Sequence, residues 1–140
     1  MIRSVIMAAL LAAPLATPLA AQDGPRAIAL VQAPEQSGGL GLGATIQEAI
    51  TDGIAQCIDG GAYPGDCYVT AACDPMFWSI DIFAQHQAGN HWHESACGLP
   101  SREVAEAVAA EICNRELRPE LIECALVQVW DPDGNPQMEW

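Results

Sequence analysis

The chain has 140 residues, of which 18 are Asp or Glu and only five are Lys or Arg, so its formal net charge is -13. Nucleic acids and anionic membrane surfaces are bound largely through Lys and Arg, and this balance therefore argues against both as partners. Six cysteines in so short a chain indicate disulfide bonds and a location outside the cytosol.

The first 21 residues have the pattern of a secretory signal peptide. Arg3 precedes an apolar run from Val5 to Ala13, and small residues precede a cleavage point before Gln22. The run is too short to cross a bilayer, which takes about 20 apolar residues, and no longer run follows it. We therefore expect a periplasmic or extracellular protein that does not insert into the membrane after cleavage.

Residues 22–140 are expected to form a single compact domain in which one plan occurs twice, at about 27–73 and 77–130, followed by a short tail over 131–140. Each copy has two strand-like segments, a helix-like segment that ends on Cys and a strand-like segment that begins on Cys. The predicted fold class is therefore α+β. It comprises two disulfide-stapled β-β-α-β repeats that pack their helices against small antiparallel sheets.

The first copy gives the clearest local signals. Its second strand contains three glycines at alternate positions, which is typical of a backbone that packs closely against a neighbour. Thr45 and Glu48 have the spacing of a capping box at a helix start. Ala49, Gly53 and Cys57 then fall on one helix face.

The closing strand of the first copy is expected to place alternate residues on one face of its sheet. These residues are Cys67, Val69, Ala71 and Cys73. In the second copy, Ile80 and Ile82 alternate with polar residues, as in a half-buried strand. Trp92 stands where the first copy has an apolar residue of its second strand, and the segment around Cys97 reads as an insertion.

Six cysteines are candidates for structural disulfides: Cys57, Cys67, Cys73, Cys97, Cys113 and Cys124. Chain geometry favours Cys57–Cys67 and Cys113–Cys124, because each pair would join a helix end to the start of the next strand. Cys73–Cys97 would take the remaining two. The sequence alone leaves the other pairings open.

The two copies share short motifs with a known type of repeat. The first copy has AIAL, GGLGLGAT, TIQEAITDGIAQC and CYVTAAC, and the second has SIDIF, AGNHWH, SREVAEAVAAEIC and CALVQVW. In these motifs each copy resembles the secreted bacterial repeat family of unknown function numbered four-one-eight-nine. The resemblance implies an α+β disulfide-stapled fold and an exported location, and it implies no catalytic residues. The Cys97 segment and the His-rich turn depart from the family pattern.

Three histidines form the clearest polar feature: His86, His91 and His93. Two histidines separated by one residue on a strand point to the same face and can bind a divalent metal ion, with Asp81 or Glu94 completing the site. The plainer interpretation is an exposed sheet edge whose buried member is Trp92.

Other chemical motifs are weak. There is no G-x-S-x-G motif, and the presence of Asp81, His93 and Ser95 gives residue types without a geometry. The acidic segment that begins at Asp131 lacks the Gly and Glu spacing of a calcium-binding loop and is expected to form a turn.

We therefore expect an exported, non-catalytic binding or interaction protein rather than an enzyme. An inhibitor- or immunity-type protein, whose acidic face meets a basic protein partner, is one concrete form. The alternative is a periplasmic protein that binds a divalent metal ion through His86, His91 and His93. No other cofactor is expected.

Overall fold

The computed structural model describes residues 24–138, and the expected signal peptide lies outside this range. Within it, the order strand, strand, helix, strand occurs twice. The elements are β1 (Ala27–Ala33), β2 (Ser37–Gly43), α1 (Ile46–Asp59), β3 (Tyr68–Cys73), β4 (Trp78–His86), β5 (His91–Leu99), α2 (Arg102–Ile112) and β6 (Leu121–Trp130). In the described part of the chain, neither helix is long and apolar enough to span a membrane.

Each half of the chain builds a three-stranded antiparallel sheet whose middle strand is its first strand. The first unit has the strand order β2-β1-β3, and the second unit has the order β5-β4-β6. In both units a hairpin joins the first two strands, and the helix carries the chain across to the free edge of the first strand. The predicted α+β class, with two β-β-α-β units, is confirmed.

Helix α1 lies directly on the backbone of β2 because glycines leave no side chains between them. A Cβ atom added to Gly41 would fall 1.8 Å from the carbonyl oxygen of Ala49, and one added to Gly39 would fall 2.1 Å from that of Gly53. The close packing expected from the glycine pattern is therefore confirmed. These contacts offset the roughly 1 kcal/mol by which a glycine such as Gly53 destabilises a helix interior.

The start and the buried face of α1 also agree with the sequence pattern. The Thr45 hydroxyl accepts a hydrogen bond from the backbone N–H of Glu48 at 3.3 Å, and the Glu48 carboxylate accepts one from the N–H of Thr45 at 3.2 Å. The two bonds complete the capping box. The buried residues of the helix are Ala49, Gly53 and Cys57, the predicted row.

The segment from Cys67 to Cys73, in which β3 begins at Tyr68, does not keep its alternate residues on one face, so that expectation is wrong for Cys67, Val69, Ala71 and Cys73. The first two pack on the α1 side of the sheet, and the last two pack on the opposite side. The pairing of β3 with β1 slips by one residue between Leu30 and Val31. This bulge reverses the alternation along β3, as an extra residue in one strand must.

The second unit packs one face of its sheet against α2. Ile80 and Ile82 of β4, together with Val129 of β6, are buried against Ala105 and Ala109 of the helix. Ile80 and Ile82 therefore share a buried face, as predicted, but the strand is not half-buried at its start, because Ser79 is buried as well. The residues of α2 at this contact are small, but α2 lies farther from its sheet than α1 does from β2.

Strand β5 is longer than the sequence suggested. It runs from His91 to Leu99, so the segment around Cys97 belongs to the strand and is not an insertion. The pairing of β5 with β4 absorbs an irregularity between Trp78 and Ile80. The added length carries Cys97 to the first unit.

The two units pack together through one face of each sheet. Ile28 and Leu30 of β1 form a buried cluster with Met76, and Trp130 of β6 and Cys97 of β5 pack against it. The other face of β1 meets α1. Every residue of β1 is therefore buried, and the order of layers is helix, sheet, sheet, helix.

Three disulfide bonds join the six cysteines: the two pairs that chain geometry favoured and the pair left over. They are Cys57–Cys67, Cys73–Cys97 and Cys113–Cys124. The first and third connect the end of a helix to the strand that follows it. The second connects the two units and lies beside their shared apolar cluster.

Candidate functional site

A cleft of about 480 Å³ opens between the two units. Its apolar wall includes Leu30, Leu40 and Trp130, and its polar wall is formed by side chains of β4 and β5, among them Asp81 and His93. A cleft of this size, with apolar walls and a few convergent polar groups, is typical of binding sites. We therefore take it as the candidate functional site.

Asp81 organises the polar wall of the cleft. Its Oδ2 atom lies 2.7 Å from Nδ1 of His93, and its Oδ1 atom accepts a hydrogen bond from the Ser95 hydroxyl at 3.4 Å. The Ser95 oxygen lies 3.1 Å from the hydroxyl of Thr70, which belongs to the first unit. A network of polar contacts thus crosses from one unit to the other at the cleft.

Two side chains of the first unit bind the backbone of β5. The oxygen of the buried Gln32 side chain accepts a hydrogen bond from the N–H of His93 at 2.8 Å, and its amide donates to the His93 carbonyl. Glu35, in the turn between β1 and β2, accepts one from the N–H of His91 at 3.2 Å. The first hairpin therefore fixes β5 along the cleft.

The pKa of His93 lies above its ordinary value. The hydrogen bond with Asp81 is the largest cause, partial burial opposes it, and the negative charge of Asp81 adds to it. Because Nδ1 is engaged by Asp81, Nε2 is the ring nitrogen left for a ligand. His93 is thus a proton donor or acceptor held at the wall of the cleft.

The structure brings two of the three histidines together. His91 and His93 lie on one face of β5, with ring centroids 5.6 and 5.8 Å from that of Phe83. His86, at the end of β4, instead accepts a hydrogen bond at Nδ1 from the N–H of Ala88 at 2.9 Å. In the described part of the chain, no group of three or more His, Cys, Asp or Glu residues is arranged to hold a metal ion. Metal binding through these histidines stays a prediction.

Asp81, His93 and Ser95 meet in the cleft but do not form a nucleophilic triad. In such a triad the serine hydroxyl bonds one ring nitrogen of the histidine, and the carboxylate bonds the other. Here the hydroxyl of Ser95 donates to Asp81 itself, so His93 is not placed to activate it. The geometry provides polar and ionisable groups for binding and leaves this serine unactivated.

Trp92 is half-buried, so the expectation that it is the buried member of β5 is wrong. Its indole N–H donates to the Glu94 carboxylate at 2.9 Å, and Glu94 also pairs with Arg118 at 2.7 Å. The hydrogen bond with Glu94 is the main reason that the pKa of Arg118 is raised. Among the described strands, β5 lies at the edge of its sheet, next to β4.

The acidic segment after β6 is a turn built around its first residue. The Asp131 carboxylate accepts hydrogen bonds from the N–H groups of Asp133 at 3.0 Å and Asn135 at 2.9 Å. Burial raises the pKa of Asp131, but the hydrogen bonds outweigh it and the pKa lies below its ordinary value. The turn predicted from the sequence is therefore an Asx-type turn.

Three residues of the cleft were not predicted from the sequence: Gln32, Glu35 and Thr70. Gln32 is the one polar residue of the β1 sequence AIALVQA, and a buried polar side chain requires a partner. The sequence therefore contained a signal that Gln32 makes a specific polar contact. Glu35 adopts a left-handed conformation with φ of 63°, and Thr70 lies at the bulge of β3; we find no sequence signal for either.

The chain matches no protein-family model, no curated protein and no solved structure.

Proposed function

We propose that this protein is an exported, non-catalytic binding protein whose cleft receives part of a protein partner. The observation that carries the proposal is the cleft itself, to which both units contribute side chains. Three disulfide bonds support a location in the periplasm or outside the cell, because such bonds persist in oxidising compartments.

The partner in this proposal is a basic protein, and the protein acts as an inhibitor or immunity-type factor. The formal net charge of -13 would speed association with a partner of opposite charge and would make it sensitive to salt. A binding role is favoured over catalysis because the hydroxyl of Ser95 is engaged by Asp81. We also propose kinship with the secreted bacterial family that the repeats resemble, which the shared order of elements in the two units supports.

A photo-crosslinking experiment tests the cleft as the binding site. A benzophenone amino acid would replace Gln56, an exposed residue of α1 that lines the cleft, and in a matched control would replace Gln47, an exposed residue of the same helix outside the lining. In an envelope extract of the source organism, we expect a discrete adduct from position 56 at low salt that weakens at high salt. Equal labelling from both positions, or none from either, would contradict the proposal.

A second candidate function is divalent-metal binding by the same wall of the cleft. The observation that favours it is a carboxylate near Nδ1 of both cleft histidines, at 2.7 Å for His93 and 3.9 Å for His91. Carboxylates commonly hold metal-binding histidines in this way. Titration calorimetry with zinc, copper and nickel tests it: we expect binding heat that His91→Gln weakens, and the absence of heat above buffer would remove the candidate.

A further inference from the structure

The charge of the cleft is carried by few groups. Its titratable residues are Glu35 from the first hairpin, Asp81 from β4, and His91 and His93 from β5. The residues that line the cleft from β1, β2, α1, β3 and β6 are uncharged. Among residues 24–138, the lining of the cleft thus contains two carboxylates and no Lys or Arg to balance them.

Asp81 depends on His93 for its counter-charge. The Asp81 side chain is 19% exposed and that of His93 is 43% exposed, so water reaches the carboxylate less readily than the imidazole. A histidine gives up its proton near physiological pH. When His93 does so, the Asp81 charge remains in a partly buried position, where electrostatic interactions are stronger than in bulk water.

We propose that the cleft binds an Arg or Lys side chain of the protein partner, and that this cation replaces the His93 proton as the counter-charge of Asp81. The inference rests on the proposed function and deepens it. The apolar wall formed by Leu30, Leu40 and Trp130 suits the aliphatic part of such a side chain. Arginine fits best, because its planar guanidinium can bond two acceptors and also stack on an aromatic ring.

Binding of the cation is therefore coupled to the protonation of His93. If the cation takes over the role of the proton, its binding releases a proton from His93, and its affinity rises as the pH rises through the titration of that residue. Glu35 stands near His91, with its side chain 53% exposed, and supplies a second negative charge at the cleft. An anionic ligand would show the opposite dependence on pH.

The test uses the intact oxidised protein and a capped pentapeptide, Gly-Leu-Arg-Leu-Gly, with a peptide in which neutral citrulline replaces arginine as the control. We expect the arginine peptide to shift the NMR amide signals of Thr70 and Ser95 at the cleft. Its affinity should rise several-fold between about pH 5.5 and about pH 8. The citrulline peptide should bind about tenfold more weakly, with little dependence on pH.

Variants distinguish an effect of the Asp81 charge from an effect of the overall negative charge of the protein. Asp81→Asn keeps an acceptor for His93 and should abolish the preference for arginine over citrulline, whereas Asp133→Asn, in the tail turn outside the cleft, should preserve it. His93→Gln should remove the pH dependence. If Asp81→Asn fails to fold, the comparison of the two peptides on the unaltered protein decides.

Equal binding of the arginine and citrulline peptides, or no shift at the cleft with either, would overturn the inference. Equal losses in Asp81→Asn and Asp133→Asn would also overturn it, since they would indicate only long-range charge attraction. None of these results affects the crosslinking from position 56, which tests whether the cleft binds a partner at all.

Discussion

The carboxylate of Asp81 lies 2.7 Å from Nδ1 of His93, across the neighbouring strands β4 and β5. In the register of these strands Asp81 is opposite Ser95 and Phe83 is opposite His93, so the ion pair is diagonal. Diagonal neighbours on one face of a sheet are within reach of long side chains. The contact between Asp81 and His93 therefore depends on the register of the two strands, and it also affects the charge of the cleft.

Stability should fall as the pH rises through the pKa of His93. That pKa is raised in the folded protein, so the ion pair stabilises the fold fully below the unfolded value, about 6.5, and the contribution is lost as the pH passes the folded value. Thermal melts between about pH 5 and about pH 9 would measure it, with Asp81→Asn as the reference. An identical pH dependence in both proteins would exclude the pair as the cause.

Replacing Gly41 by Ala should destabilise the protein, because the new methyl group would meet the carbonyl oxygen of Ala49 at 1.8 Å. Overpacking of this kind costs about 1–3 kcal/mol, and a backbone neighbour makes relief difficult. Gly65→Ala is the matched control, since nothing lies within 4 Å of a Cβ at that position. Urea unfolding curves would measure both changes, and a neutral Gly41→Ala would refute the close contact of α1 and β2.

Removal of the disulfide between the units should destabilise the protein more than removal of either of the others. Cys73 and Cys97 are separated by 24 residues, whereas the other two pairs are separated by 10 and 11. Each bridge contributes roughly 2–5 kcal/mol, and the chain-entropy model gives the longer loop an advantage of about 0.8 kcal/mol. Variants with both cysteines of one pair changed to Ala, compared by chemical denaturation, would reveal the order. Equal losses would contradict it.

Truncation of Trp92 to Ala should cost less than the roughly 3 kcal/mol that is the lower end for a fully buried aromatic side chain. Trp92 is half-buried, and its indole bonds the half-buried Glu94. Differential scanning calorimetry would measure the loss. A loss well above that limit would show that Trp92 acts as a core residue after all.

Much of the architecture could be predicted because each signal was local. The capping box at Thr45 and the small row of Ala49, Gly53 and Cys57 depend only on residues within a few turns of one helix. The pairing Cys57–Cys67 follows from a short connection. Such features are decided by neighbouring residues, and the structure agrees with them.

Features decided by contacts between distant segments could not be predicted in the same way. The bulge at Thr70 arises from how β3 meets β1, and it reversed the face assigned to Ala71. The cleft arises from the docking of the two units, and the contact between Asp81 and His93 depends on the register of β4 and β5, so neither could be located from the sequence. Gln32 is the exception, because its polarity within an apolar strand was visible.

Strand β1 is buried on both sides, by α1 and by the second unit. A fragment consisting of residues 24–73 would therefore leave Ile28 and Leu30 open to water and would be prone to self-association. Trp130, at the far end of the described fold, helps to cover the first strand. The two halves share a strand order, but each contributes side chains to the apolar cluster between them. Replacing one half by a different domain would therefore also require new residues at that cluster.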